Sequence, residues 1–352
     1  MRVALLGKSG CFNRTDGSGI RRYMYELYNN LAAQGSVSVD RIEFAPYPLM
    51  GKVLSFTLRS FLGDFSKYDI VHNPDFIPAF PRRSGKTLFT STVHDLMFAV
   101  KRDLMKEGLR LTVDGLRERV WLSFAPGMAM RSLLSSDFLV AVSTQTRDEL
   151  AALGYEKRRV QVTNLGVDDR FKVGLKKTMR KDDIFRIGYV GAYRRRKNVI
   201  AAVNAFGMTE DKKMRLMLYG RQRWLNEDIA AATARDRRIR LGGFAPENRL
   251  VSIYDGFDAF IFPSLYEGFG LPILEAQSRG LPVVIFKHGA IPREVRRHCI
   301  EAKDEHHMAR ILEALKGNGY KDSERRRSVA YARSFSWKKM AMETVKAYEK
   351  WL

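Results

Sequence analysis

The sequence predicts an α/β fold built from two Rossmann-like domains. The first observation is a βαβ pattern over residues 258–285, where two short apolar runs flank a segment with a helical pattern. The second is size, because a chain of 352 residues with 45% hydrophobic content can bury two cores. The third is the charged stretch of residues 171–183, whose composition is typical of a linker between domains.

The βαβ pattern predicts its elements in order. We expect a buried strand over Ala259–Phe262, a loop, a helix from near Gly270 to just before Gly280, and a second strand over Pro282–Ile285. The loop therefore follows the carboxyl end of a strand. In open α/β sheets ligands bind at such ends, and the N–H groups of a helix N-terminus attract an anion there.

Two carboxylates bracket this loop and helix. Glu267 precedes Gly268 and Gly270, and Glu275 lies in the helix after seven intervening residues. The glycines let the backbone approach a ligand, and Pro272 is tolerated in the first helical turn. Carboxylates accept hydrogen bonds from sugar hydroxyls, so this spacing suits two sugar rings joined by a diphosphate, as in a nucleotide-sugar. The alternative is a structural or solvated role for each glutamate.

Charge and cysteine content narrow the class of protein. The net charge is +22, with 24 Lys and Arg against 18 Asp and Glu in residues 1–170 and 37 against 21 in residues 171–352. This excess suits a phosphorylated donor, an anionic membrane surface or nucleic acid. Cys11 and Cys299 have neither disulfide-framework nor zinc spacing, which indicates a reducing compartment. With no apolar run of about 18 residues, we expect a cytoplasmic protein, with peripheral attachment to the inner membrane face as an option.

The string PSLYEGFGLPILEAQSRGLPVV, residues 263–284, resembles the donor-site signature of the retaining GT-B glycosyltransferases of family 4, particularly mannosyltransferase-like members. The resemblance implies a GT-B fold, in which two Rossmann-like domains face each other across a cleft and the last helix returns to the N-terminal domain. Its expected divisions are residues 1–171 for the acceptor, residues 172–335 for the nucleotide-sugar and residues 336–352 for the returning helix.

A basic loop follows the predicted strand that opens the second domain. In FRIGYVGAYRRRKNV, Arg196 and Lys197 match the family's basic pair, which neutralises the donor diphosphate. Ala192 stands where many relatives carry an arginine. Either Arg194 or Arg195 substitutes for that arginine, or Arg196 and Lys197 hold the phosphate alone. A solvated charge run is the alternative interpretation.

The resemblance also gives roles to residues outside the central string. Gly19 opens the first helix, in DGSGIRRYMYEL, and leaves room for donor phosphate and acceptor. His94, in TSTVHDL, would contact the transferred sugar, with a structural histidine as the alternative. Gly220 is expected near the nucleotide, and Phe244 beside the base or in the core. Glu294 is expected near the nucleotide or at the surface.

The implied activity is transfer of a hexose from a nucleotide-sugar to a glycan or lipid-linked acceptor, with retention and without metal or cofactor. Glu267 would hold the sugar hydroxyls and Glu275 the ribose, and GDP-mannose is preferred over UDP-sugars as donor. We favour attack by the acceptor on the same face of the sugar that the phosphate leaves, with the leaving phosphate as the base. The alternative is that Glu267 is the nucleophile. The catalytic set is His94, Glu267, Arg196 and Lys197. The donor-binding set is Gly19, Arg196, Lys197, Gly220, Phe244, Gly268, Phe269, Gly270, Leu271 and Glu275.

Other functions are also compatible with parts of the sequence. A different GT-B enzyme, such as a sugar-nucleotide epimerase or a phosphorylase, would need acid/base carboxylates or a pyridoxal lysine, and neither pattern is visible. A nucleic-acid-binding protein would fit the net charge, but no recognition motif accompanies it. The apolar segment of residues 52–65 predicts either a core-packed helix or a helix at a membrane surface.

Overall fold

The computed structural model describes residues 1–13, 19–46, 52–75, 77–82, 85–100, 127–174, 182–221 and 227–352. The chain forms two compact units, Met1–Gly166 together with Trp337–Leu352, and Val167–Ser336. Residues 175–181 of the predicted linker lie outside the described residues. Within the described ranges, no helix is both long enough and apolar enough to span a bilayer.

The first unit contains a parallel six-stranded sheet. Its strands are β1 Arg2–Lys8, β2 Ser38–Phe44, β3 Ile70–Asn73, β4 Leu88–Val93, β5 Phe138–Ala141 and β6 Val160–Val162. The strand order is β2-β1-β3-β4-β5-β6, and every neighbouring pair is parallel. The chain runs from β1 to β2 on one side and then crosses to β3 on the other. The point where the strand order reverses therefore lies between β1 and β3.

The helices of the first unit follow the apolar spacing of the sequence. They are α1 Gly19–Ala32, α2 Lys52–Leu62, α3 Met97–Val100, α4 Thr144–Ala152 and, at the end of the chain, α13 Trp337–Trp351, with further helical residues at 127–134. The Ser143 side chain accepts a hydrogen bond from the Thr146 N–H at 3.1 Å, which makes Ser143 the N-cap of α4. In α1 the side chains of Tyr23, Leu27 and Leu31 are fully buried, as a helical period requires.

The C-terminal helix α13 packs within the first unit. The Tyr348 hydroxyl lies 2.5 Å from Nδ1 of His72 on β3. Trp351 stacks on Phe138 of β5, with 5.7 Å between ring centroids. These contacts bury the apolar face of α13 against β3 and β5 of the first sheet.

The second unit contains another parallel six-stranded sheet. Its strands are β7 Phe185–Val190, β8 Met214–Tyr219, β9 Ile239–Gly243, β10 Ala259–Phe262, β11 Val283–Phe286 and β12 Ile300–Ala302. The order is β12-β11-β10-β7-β8-β9. The strand order reverses between β7 and β10, and this arrangement is the one found in dinucleotide-binding Rossmann sheets.

Helices and short 3-10 turns connect these strands. The helices are α5 Asp169–Lys172, α6 Val199–Gly207, α7 Glu227–Arg235, α8 Leu250–Asp255, α9 Leu271–Ser278, α10 Arg293–Arg296, α11 Glu305–Asn318 and α12 Asp322–Arg333. The 3-10 turns are Arg195–Lys197 and Glu247–Arg249 here, and Lys157–Arg159 in the first unit. The predicted βαβ unit is thus β10-α9-β11, with β11 one residue later than expected.

Candidate functional site

Two loops flank the reversal point of the second sheet. The loop after β7 contains the 3-10 turn Arg195–Lys197, and the loop after β10 covers residues 263–270 and leads into α9. Because β7 and β10 are adjacent and parallel, both loops leave the same edge of the sheet. This is where a crevice opens between diverging connections in folds of this kind.

Main-chain hydrogen bonds fix these loops to one another. The Leu265 N–H donates to the Arg196 carbonyl at 2.8 Å. On the other side, the Glu267 N–H donates to the Ala290 carbonyl at 2.9 Å, and the Ala290 N–H donates to the Leu265 carbonyl at 2.9 Å. The backbone that carries Glu267 is therefore held between the loops after β7 and β11.

Glu267 forms an ionic cluster with the predicted basic pair. Arg196 Nη1 lies 3.1 Å from Glu267 Oε2, and Lys197 Nζ lies 2.5 Å from Glu267 Oε1. Arg196 Nη1 also donates to the Tyr266 carbonyl at 3.3 Å. The side chains of Glu267, Arg196 and Lys197 are 6%, 22% and 12% exposed, respectively. Two cations and one anion leave a net charge of +1 beside the loop.

The pKa of Glu267 reflects two opposing effects. Burial alone would raise it, but the charges of Lys197 and Arg196 and the Lys197 hydrogen bond outweigh burial, so the pKa lies below its ordinary value. Glu267 is therefore ionised at neutral pH. An ionised carboxylate in this position accepts hydrogen bonds from hydroxyl groups and donates none.

Helix α9 begins directly after this loop. Gly270 precedes it with φ at 107°, a left-handed conformation that favours glycine, and Pro272 lies in the first turn. The first residue of α9, Leu271, thus follows Glu267 by four positions. The Phe269 side chain is buried and packs against Phe335, with 6.1 Å between ring centroids.

Glu275 lies in the second turn of α9 and is not a surface residue. It is 4% exposed, and its Oε2 accepts a hydrogen bond from the Tyr254 hydroxyl at 2.8 Å. Tyr254 comes from α8 and is fully buried. The sequence did not identify Tyr254, because its helix carries no motif and the contact joins residues 21 positions apart.

Gly220 and Phe244 follow β8 and β9 at the same edge of the sheet. A Cβ at Gly220 would lie 2.2 Å from the Gly191 carbonyl oxygen, so the close approach of two loops requires glycine there. Phe244 is 48% exposed, and the Arg221 guanidinium lies 4.6 Å from its ring centroid. Because its ring is exposed, Phe244 is not a core residue, which was the alternative prediction.

Glu294 lies in α10, where its main-chain carbonyl accepts a hydrogen bond from the Tyr331 hydroxyl at 2.8 Å.

His94 and Gly19 belong to the first unit. His94 follows β4, and its Nε2 donates to the Pro74 carbonyl at 2.9 Å, while the ring of Tyr23 lies edge-on at 4.8 Å. Burial lowers the pKa of His94, which is therefore neutral at pH 7 with Nδ1 as its acceptor nitrogen. Gly19 is the exposed first residue of α1, and no described atom lies within 4 Å of a Cβ built there.

The sequence did not identify a second charged pair, Lys8 and Asp75. Lys8 ends β1, Asp75 follows β3 by two residues, and their Nζ and Oδ2 atoms are 3.5 Å apart. The position of each residue just at or after a strand end was the available signal, but only the structure brings them together.

In the described ranges, no three His, Cys, Asp or Glu side chains are grouped as metal ligands would be.

Comparison with known proteins identifies the family. The model for "Glycosyl transferases group 1" matches residues 184–318, and the model for "Glycosyltransferase Family 4" matches residues 36–171. O-antigen chain mannosyltransferase B of Escherichia coli is 28% identical over 82% of this chain and 76% of its own.

Solved structures agree on the fold. Sucrose-phosphate synthase of Thermosynechococcus elongatus has a TM-score of 0.72 at 17% identity, over 99% of this chain and 98% of its own. HepE of Anabaena in complex with UDP has a TM-score of 0.68 at 15% identity, over 99% and 100%. The two family matches cover all strands of the second sheet and all strands of the first sheet except β1. This chain belongs to the group 1 glycosyltransferases of the GT-B type.

Proposed function

We propose that this glycosyltransferase is a retaining enzyme that moves mannose from GDP-mannose to a glycan or lipid-linked acceptor. The observation that carries the proposal is the cluster of Arg196, Lys197 and Glu267 next to the N-terminus of α9, at the reversal point of the second sheet. It combines a net positive charge for a diphosphate with an ionised carboxylate for sugar hydroxyls. A nucleotide-sugar carries both groups on one molecule.

Each part of the donor has a candidate partner. Arg196, Lys197 and the first N–H groups of α9 would bind the diphosphate, because the helix dipole and both cations favour negative charge. Glu267 would accept from hydroxyls of the sugar. Glu275, held by the Tyr254 hydroxyl at 2.8 Å, would accept from the ribose.

The remaining donor-binding candidates provide space and stacking. Gly220 lets the loops after β7 and β8 approach closely, and Phe244 offers an exposed ring to the base. Gly268 and Gly270 would present main chain to the diphosphate, and the left-handed conformation of Gly270 favours glycine at the start of α9. From the first unit, His94 would contact the transferred sugar and Gly19 would leave room for the acceptor.

The proposed reaction needs charge stabilisation more than proton transfer by the protein. The bond between the anomeric carbon and the diphosphate oxygen breaks, and the acceptor oxygen forms a bond to the same face of that carbon. The acceptor proton passes to the departing phosphate oxygen. Arg196 and Lys197 stabilise the charge that develops on the diphosphate, which is the role a divalent metal has in other transferases. We therefore propose catalysis without a metal or cofactor.

Two observations bear on the identity of the sugar, and the first carries more weight than the second. The Escherichia coli relative is a mannosyltransferase, which favours mannose and hence a GDP-linked donor. The structural neighbour HepE is in complex with UDP, which keeps UDP-sugars as the second choice. The proposal therefore ranks GDP-mannose first.

Thermal unfolding with ligands tests the donor proposal. GDP and GDP-mannose should raise Tm of the wild-type chain more than UDP, ADP or their sugars, both with EDTA and with magnesium. Glu275→Ala should lose the shift, whereas Glu313→Ala, an exposed glutamate on α11, should keep it. No shift with any nucleotide, or a shift that EDTA abolishes, would contradict the proposal.

Retention of configuration at the anomeric carbon is tested separately, by the anomeric coupling constant of the product in NMR.

A membrane surface is the proposed location of the acceptor. On α2 the side chains of Leu54, Phe61 and Leu62 are 51%, 50% and 59% exposed, and the net charge of the chain is +22. Exposed apolar residues on a helix of a basic protein favour peripheral binding to anionic lipid at the cytoplasmic face.

Liposome sedimentation tests this location. The wild-type chain should sediment with phosphatidylglycerol vesicles and not with phosphatidylcholine vesicles. The double variant Leu54→Ser, Phe61→Ser should stay in the supernatant. Met342→Ser, at an exposed position on α13, is the control and should behave as wild type. Equal sedimentation of all three proteins would rule out α2 as the attachment site.

A further inference from the structure

The first sheet has its own reversal point, between β1 and β3, and a charged pair lies at the carboxyl ends of these two strands. Lys8 is the last residue of β1, and Asp75 follows β3 by two residues. The register aligns Val3 with Ile70, so the two strands run side by side to the same edge of the sheet. A crevice at this edge is the position where parallel α/β sheets bind ligands.

The pair is open to solvent yet partly desolvated. The side chains of Lys8 and Asp75 are 33% and 16% exposed, and their Nζ and Oδ2 atoms are 3.5 Å apart. Close charge-assisted hydrogen bonds are about 2.7–2.9 Å long. The longer separation leaves both groups able to form shorter hydrogen bonds with a ligand. Burial raises the pKa of Asp75, against the positive charge of Lys8.

His94 is attached to the same segment. Its Nε2 donates to the carbonyl of Pro74, the residue before Asp75, at 2.9 Å. Its Nδ1 is an acceptor, because the ring is neutral. Lys8, Asp75 and His94 therefore place one cation, one carboxylate and one neutral acceptor at a single edge of the first sheet.

We propose that Lys8 and Asp75 bind the sugar hydroxyls of the acceptor, an inference that rests on the proposed transferase function. Asp75 accepts a hydrogen bond from one hydroxyl, and Lys8 donates to the oxygen of a neighbouring hydroxyl. This chemistry selects a neutral sugar. A phosphate on the ring would gain an attraction to Lys8 but would also meet the carboxylate of Asp75, so the pair disfavours it. The site thus receives a neutral sugar end of the acceptor and not a phosphorylated group.

Calorimetry of the full chain tests this assignment directly. The probes are octyl α-mannopyranoside and the same glycoside phosphorylated at the 6-position. The wild-type chain should bind the neutral glycoside at least tenfold more tightly than the phosphorylated one. Asp75→Asn should weaken binding of the neutral glycoside about 10- to 100-fold, as expected for one hydrogen bond to a charged group. The same variant should improve binding of the phosphorylated glycoside relative to wild type.

A second variant separates recognition from a structural role. Lys8→Gln should weaken binding of the phosphorylated glycoside, opposite to the effect of Asp75→Asn, whereas a general loss of structure would weaken binding of both glycosides in both variants. The matched control is Asp148→Asn, which breaks the exposed Lys157–Asp148 pair of the same unit at 2.8 Å and should change neither affinity.

Several results would overturn the assignment. They are preference of the wild-type chain for the phosphorylated probe, binding of neither probe, and equal affinities across all variants. Failure of the donor proposal would appear separately, as the absence of a GDP-induced shift in Tm in the wild-type chain.

Discussion

Lys197 donates a hydrogen bond of 2.5 Å to Glu267, a residue 70 positions later in the chain. The other carboxylate oxygen of Glu267 faces Arg196 at 3.1 Å. The residue proposed to hold the sugar is thus in contact with both residues proposed to hold the diphosphate. Any change in the charge of Glu267 will alter the affinity of the two cations for an anion.

Replacing Glu267 with glutamine should separate diphosphate binding from transfer. The variant keeps the shape of the side chain but frees one unit of positive charge, so we expect GDP to bind about tenfold more tightly. The same change should lower the rate of sugar transfer by about 100-fold, because a preorganised charge next to the reacting sugar is lost. Calorimetry with GDP and a product assay with GDP-mannose measure the two effects.

The control for Glu267→Gln is Glu301→Gln, which breaks the surface pair between Glu301 and Arg296 at 2.7 Å. It should change neither GDP affinity nor transfer rate. Weaker GDP binding in Glu267→Gln would mean that Glu267 orders the two cations for the ligand and does not compete with it. An unchanged transfer rate would remove Glu267 from the reaction.

His72 should make the stability of the protein depend on pH. The ring is fully buried between the Tyr348 hydroxyl at 2.5 Å and the Thr92 hydroxyl at 2.7 Å, and burial lowers its pKa from 6.5 to about 3. The unfolded chain binds a proton at this histidine below pH 6.5, and the folded chain does not. The stabilisation is therefore complete above pH 6.5 and is lost as the pH falls towards 3, by about 1.4 kcal/mol per pH unit.

Urea unfolding between pH 7.5 and 5, at about half-unit steps, measures this contribution. The free energy of unfolding of wild type should fall more steeply with decreasing pH than that of His72→Gln. His94, whose pKa is also lowered, acts in the same direction in both proteins, so the difference in slope isolates His72. His306→Gln, an exposed position on α11, should retain the wild-type slope. Parallel slopes for wild type and His72→Gln would show that the folded chain accepts a proton at His72.

The sequence predicted the local parts of the fold well. The strand β10 occupies the predicted residues Ala259–Phe262, and α9 begins and ends as expected from its glycines. In each case the signal lies within a few residues of the feature, which is why one sequence is enough to find it.

Contacts between distant segments could not be predicted in the same way. Asp75 meets Lys8, Tyr254 meets Glu275 and Tyr348 meets His72, the last pair 276 residues apart. Neither Tyr254 nor Tyr348 carries a local pattern, and each pairing is selected by the packing of whole strands and helices. The sequence suggested that Arg196, Lys197 and Glu267 serve one ligand, but not that the three side chains already pair with one another.

Arg279 should be important for the stability of the second unit. It is 8% exposed, forms an ion pair with Asp255 at 2.7 Å, and donates to the Phe171 and Val173 carbonyls at 3.1 and 2.7 Å. Arg279→Ala leaves Asp255 and two carbonyls without these partners, so we expect a loss of about 3 kcal/mol in the free energy of unfolding. Urea denaturation measures it, with the exposed Arg237→Ala as control. A decrease of less than about 0.5 kcal/mol in the free energy of unfolding would mean that water replaces the hydrogen bonds of Arg279.

Phe244 should affect nucleotide affinity without affecting stability. The ring is 48% exposed and contacts the Arg221 guanidinium, so Phe244→Ala should change the free energy of unfolding by less than about 0.5 kcal/mol. If the base stacks on this ring, the affinity for GDP should fall about fivefold, the value of one aromatic contact, and Phe244→Trp should restore it. Titration calorimetry with GDP and urea unfolding give the two quantities. Met208→Ala, which removes another exposed apolar side chain of this unit, should leave GDP binding unchanged. If Phe244→Ala binds GDP with wild-type affinity, the base does not stack on this ring.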